Sequence, residues 1–208
     1  MKKYLSSFKL WNETEKLKNF FWENKKIALI PNARDLVDWF SEKAINSANN
    51  SILDLEKLWL EAEILDLKDY FLQEKKLYEK LEEFAGVYVT WWNVFVLNQA
   101  FKLSWFWNII KEKNKNNKDF VYIAYSAGVC VLSEKLDWYQ IVDDEKYFPY
   151  PELQEIVWEW LWIINFNFSP HYDSNHPESK LIDEGIKYCI ENKILFKAVR
   201  DWEVLIYK

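Results

Sequence analysis

The 208-residue chain predicts an α/β fold, a mostly parallel central sheet covered by helices on both faces and contained in one domain, residues 1–208. Two patterns carry that expectation. Short apolar runs such as "KIALI", "GVYV" and "VYIAY" alternate with longer stretches of helical spacing. Half of the residues are hydrophobic, enough at this length for a substantial core, and no repeat, low-complexity linker or compositional break divides the chain.

Taken in order, strands are expected at 3–7, 26–30, 61–67, 86–89, 120–125, 163–168, 197–199 and 203–207, and helices at 12–21, 33–48, 53–58, 72–83, 95–114, 127–132 and 179–192. "NFFWENKKIALIPNA" reads as a helix giving way to a strand, and "SILDLEKLWLEAEILDL" repeats that arrangement. "VYVTWWNVFVLNQAFK" starts as an alternating strand and continues with the apolar spacing of a buried helix. "DFVYIAYSAGVCVL" is a buried strand running into a helix, and "LFKAVRDWEVLIYK" reads as two strands joined at Asp201-Trp202 in the manner of a hairpin. The long, polar, proline-bearing stretch "LDWYQIVDDEKYFPYPELQEIV" is expected to be a surface excursion near the site.

Several function classes are disfavoured. A formal net charge of −6 leaves no basic surplus to neutralise phosphates, so no nucleic-acid partner is expected. No run reaches the length of a membrane span, and "MKKYLSSFKL" does not read as a secretory signal, so a cytoplasmic protein is expected. Cys130 and Cys189 have neither metal nor redox spacing.

One pair of counts is abnormal: 3 Gly against 13 Trp. An average protein of this length carries about 15 glycines, which is close to the two counts combined. Trp59 stands at a helix exit, where a left-handed glycine is the usual cap, and Trp202 stands where a hairpin turn wants glycine. Trp22, Trp91, Trp92, Trp105, Trp160 and Trp162 also lie at or beside junctions, whereas Trp39 reads as an ordinary core aromatic. Tryptophan has no advantage at a positive φ. Most of these positions are therefore expected to be glycine in the native protein, as when a gene that reads UGA as glycine is translated with a tryptophan code.

The segment "VYIAYSAGVCVL" carries the chemistry. Ser126 follows a buried strand and precedes Ala127, Gly128 and a helical run, the layout of a nucleophile elbow, although Ala124 replaces the first glycine of G-x-S-x-G. A serine nucleophile needs a base, most often imidazole. The chain has only His171 and His176, both in "FNFSPHYDSNHPE" just after an apolar strand.

On the segments "VYVTWWNVFVLNQAFK", "VYIAYSAG", "LDWYQIVDD", "WLWIINFNFSPHY" and "VRDWEVLIY", the chain resembles the peptidase E (aspartyl dipeptidase) family of serine peptidases, most firmly from about residue 84 onward. The family pattern has glycine at positions 91, 92, 160, 162 and 202 of this chain. The resemblance implies a three-layer sandwich with a class I glutamine amidotransferase-like (flavodoxin-like) fold. It also implies hydrolysis of short peptides through an acyl-enzyme, with Asp-X dipeptides among the candidates. Ser126 matches the nucleophile and His171 the base, while His176 has no match and is expected at the surface. Asp137 is the best match for the acid, with Asp143 and Asp144 as alternatives. The oxyanion hole would be the N–H groups of residues 92 and 127, with Trp91 and Asn93 lining the substrate space. Arg34, just after the strand "IALIP", is assigned to the surface, with the cleft as the alternative. No metal or cofactor is implied, and the chain is expected to act as a monomer or homodimer.

Two rivals remain at this point. An α/β-hydrolase esterase shares the elbow, and a non-catalytic binding protein could use the same fold with its site blocked by Trp91 and Trp92.

Overall fold

The computed structural model describes residues 1–10, 12–35 and 42–208, with backbone only for 42–45. The expected helix at 33–48 therefore falls partly outside the described residues, and Trp39 falls wholly outside them.

Six strands form the main sheet in the order β3-β2-β4-β5-β1-β8. They are β1 (Lys2–Ser6), β2 (Lys26–Ile30), β3 (Glu61–Ile64), β4 (Gly86–Val89), β5 (Val121–Tyr125) and β8 (Val204–Tyr207). All neighbours run parallel except β8, which pairs antiparallel with β1. Alternation along each strand feeds two cores. Ala28, Ile30, Val87, Val89, Tyr122 and Ala124 enter the larger one, while Ile27, Leu29, Tyr88, Val121, Ile123 and Tyr125 enter the other. The helices are α1 (Thr14–Lys18), α2 (Glu42–Glu56), α3 (Glu74–Leu81), α4 (Val94–Leu103), α5 (Phe106–Asn116), α6 (Ala127–Cys130) and α7 (Ser179–Glu191). Leu17 of α1 and Leu55 of α2 cover the smaller core, and residues of α3, α4, α5, α6 and α7 cover the larger, which gives the expected three layers.

The structure departs from the sequence reading in four places. Leu53–Leu58 is not a separate helix; its first residues belong to α2, which runs unbroken to Glu56. The helix expected at 95–114 is two, broken where Trp105 takes φ 63. The apolar run at 163–168 supplies only the start of a short strand, β6 (Asn167–Ser169), because Ile164 and Phe166 are buried from loop backbone instead. Finally, 197–199 and 203–207 do not form a hairpin. β7 (Phe196–Ala198) pairs in parallel with β6 in a separate two-stranded sheet, and β8 returns to β1.

The backbone bears directly on the tryptophan excess. Trp59 (φ 63), Trp92 (φ 137), Trp105 (φ 63) and Trp162 (φ 51) occupy conformations that favour glycine, whereas none of the three glycines does. Trp22, Trp91, Trp160 and Trp202 are not among the residues of positive φ. Gly128 is needed for a different reason: a Cβ there would lie 2.5 Å from the carbonyl oxygen of Val89, so α6 sits directly on the end of β4.

Candidate active site

The carboxyl ends of β4, β5 and β1 lie side by side in the middle of the sheet, where an open α/β fold places its working loops. At the end of β5 the chain turns within one residue. Ser126 takes φ 47 and ψ −120, a conformation that is strained for any residue with a side chain, and α6 begins at Ala127. Its hydroxyl caps no helix amide. Instead Ser126 Oγ lies 3.2 Å from Nε2 of His171.

His171 follows β6, itself at positive φ (59), and is fully buried. Its Nδ1 stands 2.6 Å from Oδ1 of Asp201. Ser7, at the end of β1, ties the pair together: its hydroxyl accepts the His171 N–H at 2.8 Å and donates to Asp201 Oδ1 at 3.2 Å. The Asp201 N–H donates to the Ser174 hydroxyl at 3.0 Å, and Arg200 reaches Asp173 at 3.0 Å, so the loops after β6 and β7 are clasped. Burial alone would push the Asp201 carboxyl up. The hydrogen bond and charge of His171, the charge of His176 and the Ser7 hydroxyl outweigh it and hold Asp201 below the ordinary carboxylate value.

The carboxylate on His171 is therefore Asp201, and the assignment of Asp137 is corrected. Asp137 opens a one-turn helix and accepts from Gln140 through its carbonyl. Asp143 accepts the Val94 N–H at 2.7 Å at the start of α4, and Asp144 accepts the Lys146 N–H at 2.9 Å. Each serves its own loop or helix end. What places Asp201 is the sheet pairing and not a local motif. β6 and β7 are parallel neighbours with Ser169 opposite Ala198, so residues just beyond each strand emerge together.

The turn after β4 brings Trp91 and Trp92 to the same end of the sheet, their rings tilted by 35° with centroids 5.0 Å apart. Among the described residues, the N–H groups of Trp92 and Ala127 have no hydrogen-bond acceptor. The Asn93 side chain is consumed by the fold: it caps α4 by accepting the Val96 N–H at 2.9 Å and donates to the Asp144 carbonyl at 2.9 Å. Its carboxamide oxygen and nitrogen are thus both engaged within the fold.

Arg34 also departs from expectation. It is only 5% exposed, its Nε and one Nη have no partner among the described residues, and its guanidinium carbon lies 5.0 Å from the Trp91 ring centre. His176 is not a free surface residue but stacks on His171, centroids 3.7 Å apart and planes within 7°. A cavity of about 170 Å³ opens beside this group, lined by Phe8, Ser51, Tyr88, Trp91 and Tyr125 among others.

A strained serine at a strand exit, an imidazole on its hydroxyl and a carboxylate behind the imidazole define, with the α/β sandwich, the class of serine hydrolases. The comparisons narrow this to peptidases. The family model "Peptidase family S51" matches residues 6–198, and the chain belongs to that family of serine peptidases. Among solved structures, it is similar to one described as a candidate peptidase E protein from Listeria monocytogenes EGD-e. That match has 23% identity and a TM-score of 0.72 over all of this chain and 98% of the other. A peptidase from an acI-B1 Actinobacterium matches at 15% identity and a TM-score of 0.65, over all of this chain and 83% of the other. No curated protein matches the chain. Among the described residues, no helix is long and apolar enough to cross a membrane.

Proposed function

We propose that the protein hydrolyses short peptides with Ser126 as nucleophile, His171 as general base and acid, and Asp201 as the residue that orients His171. The observation that carries this reading is the unbroken chain from Ser126 Oγ through both ring nitrogens of His171 to Asp201. Asp201 accepts from Nδ1–H and so leaves a lone pair on Nε2 facing the serine. As Oγ attacks the scissile carbonyl, Nε2 takes its proton and later delivers it to the leaving amine. Water then releases the acyl group by the same route.

Acyl transfer also needs donors about 3 Å from the developing oxyanion. The N–H groups of residues 92 and 127, both without acceptors among the described residues, are the candidates. We further propose that residues 91 and 92 are glycine in the native enzyme. What supports this is the φ of 137 at residue 92 and a solvent-exposed indole at the mouth of the site.

The test compares the chain as written with W91G/W92G, using a fluorophosphonate probe and a dipeptide panel. Labelling confined to Ser126, lost in S126A, together with cleavage of at least one dipeptide by the glycine form, is expected. A folded glycine form that neither labels nor cleaves would favour a binding protein on the same scaffold. Native mass spectrometry that finds tryptophan at 91 and 92 would end the glycine assignment.

A further inference from the structure

The loop after β6 gathers a second donor set around the proposed base. His171, His176 and Glu178 each offer one ligand atom, and the three atoms lie within 4.8 Å of one another. Points so spaced fit inside a circle of about 2.8 Å radius, while zinc sits about 2.0–2.2 Å from imidazole nitrogen and carboxylate oxygen. Distance alone thus asks each donor atom to move by less than about 1 Å, and the two rings, now stacked, must also tilt so that their in-plane lone pairs converge on the ion.

Packing holds the two imidazoles together. Their rings are stacked, and the edge of Phe8 closes on both, at 6.0 Å from His171 and 5.7 Å from His176. His176 Nδ1 accepts a long hydrogen bond, 3.3 Å, from the Glu178 N–H, so this nitrogen carries a lone pair. Asp201 on His171 Nδ1 supplies the remaining part, because a metal-bound imidazole commonly donates its other N–H to a carboxylate. Two imidazoles, one carboxylate and an open fourth position suit zinc.

We propose that His171, His176 and Glu178 form a site for one zinc ion, and that the bound ion silences the triad. The coordinate bond uses the His171 Nε2 lone pair that would otherwise receive the Ser126 proton, so serine cannot be activated while zinc is held. The inhibitory half rests on the function proposed above, whereas ion binding does not.

Calorimetric titration of zinc into the metal-free chain, beside its S126A, H176A and E178Q variants, tests the site. One ion per chain is expected in the parent and in S126A, with affinity at least about tenfold weaker in H176A and E178Q, the size of loss that even an outer partner of a ligand causes. The rate of fluorophosphonate labelling of the parent should fall at least about tenfold at saturating zinc and recover with chelator. Each variant is compared with its own zinc-free rate, and H176A and E178Q should need correspondingly more zinc for the same slowing. No binding at millimolar zinc, equal affinity in all four chains, or saturation that leaves labelling unchanged would overturn the proposal. If the zinc-free chain never labels, the triad reading fails and the inhibitory claim with it, while calorimetry still decides the ion site.

Discussion

Two adjacent strand exits make opposite use of the same backbone device. After β5 the chain crosses at Ser126 with φ 47, and after β4 it crosses at Trp92 with φ 137. Each residue departs from the favoured region at a cost of about 1–3 kcal/mol. At Ser126 the strain has a visible return: the hydroxyl is aimed at His171 instead of being spent on a helix cap. At Trp92 no contact of the indole explains the conformation. The ring is 42% exposed and lies tilted against its equally bulky neighbour. Strain that positions a reactive group is a design feature; strain that positions a large exposed side chain indicates that a different residue belongs there.

The largest effect that would break this contrast is expected at Ser126. S126G should relieve the turn and raise stability by about 1 kcal/mol, yet reduce kcat by about a millionfold. Denaturant midpoints and turnover measured on the glycine form at 91 and 92 check both halves, and a variant that stays active would remove the distinction between the exits. Next in size is Asp201. D201N should reduce kcat by about ten-thousandfold through the wrong imidazole tautomer, whereas D137N should leave turnover within a few fold. The reverse outcome would restore the sequence-based assignment. W92G should then raise kcat/KM by clearing an exposed indole from the mouth of the site, since the residue 92 N–H is already without an acceptor among the described residues. If kcat/KM instead matches that of the tryptophan form, the exit after β4 plays no part in the chemistry.

Smaller effects sharpen the comparison away from the site. Trp59 and Trp105 share the positive φ of Ser126 without any catalytic return, so W59G and W105G should each stabilise the fold by about 1–2 kcal/mol, read from urea midpoints. A pH effect is the last. The Asp201 carboxyl is held below its ordinary value in the folded chain, so its contribution to stability is present above the unfolded value of 3.8 and is lost as pH falls through the lowered folded value. D201N should flatten that part of the stability profile.

Residues 26–30 and 86–89 were legible to the residue, because a strand buried on both faces is a continuous apolar run bounded by polar turns. Ser126 and His171 were legible because an elbow and a scarce imidazole leave few alternatives. Asp201 was not. Its place behind His171 depends on β6 and β7 being parallel neighbours, and the short "FKA" segment looked like half of a hairpin with 203–207. His176 and Arg34 were misplaced for a related reason. Charged or polar residues in loops read as solvated until the packing shows what lies over them, here His171 and Trp91. Asn93 shows the converse, a polar residue beside the site whose amide is committed to a helix cap.

The bridge from Ser7 to Asp201 joins positions 194 apart in the chain. During synthesis Ser7 leaves the ribosome 194 residues before the carboxylate to which its hydroxyl donates. A nascent chain therefore carries the serine long before the imidazole behind it is secured. Under the proposed triad, His171 is held for Ser126 only once Asp201 has folded back onto the end of β1.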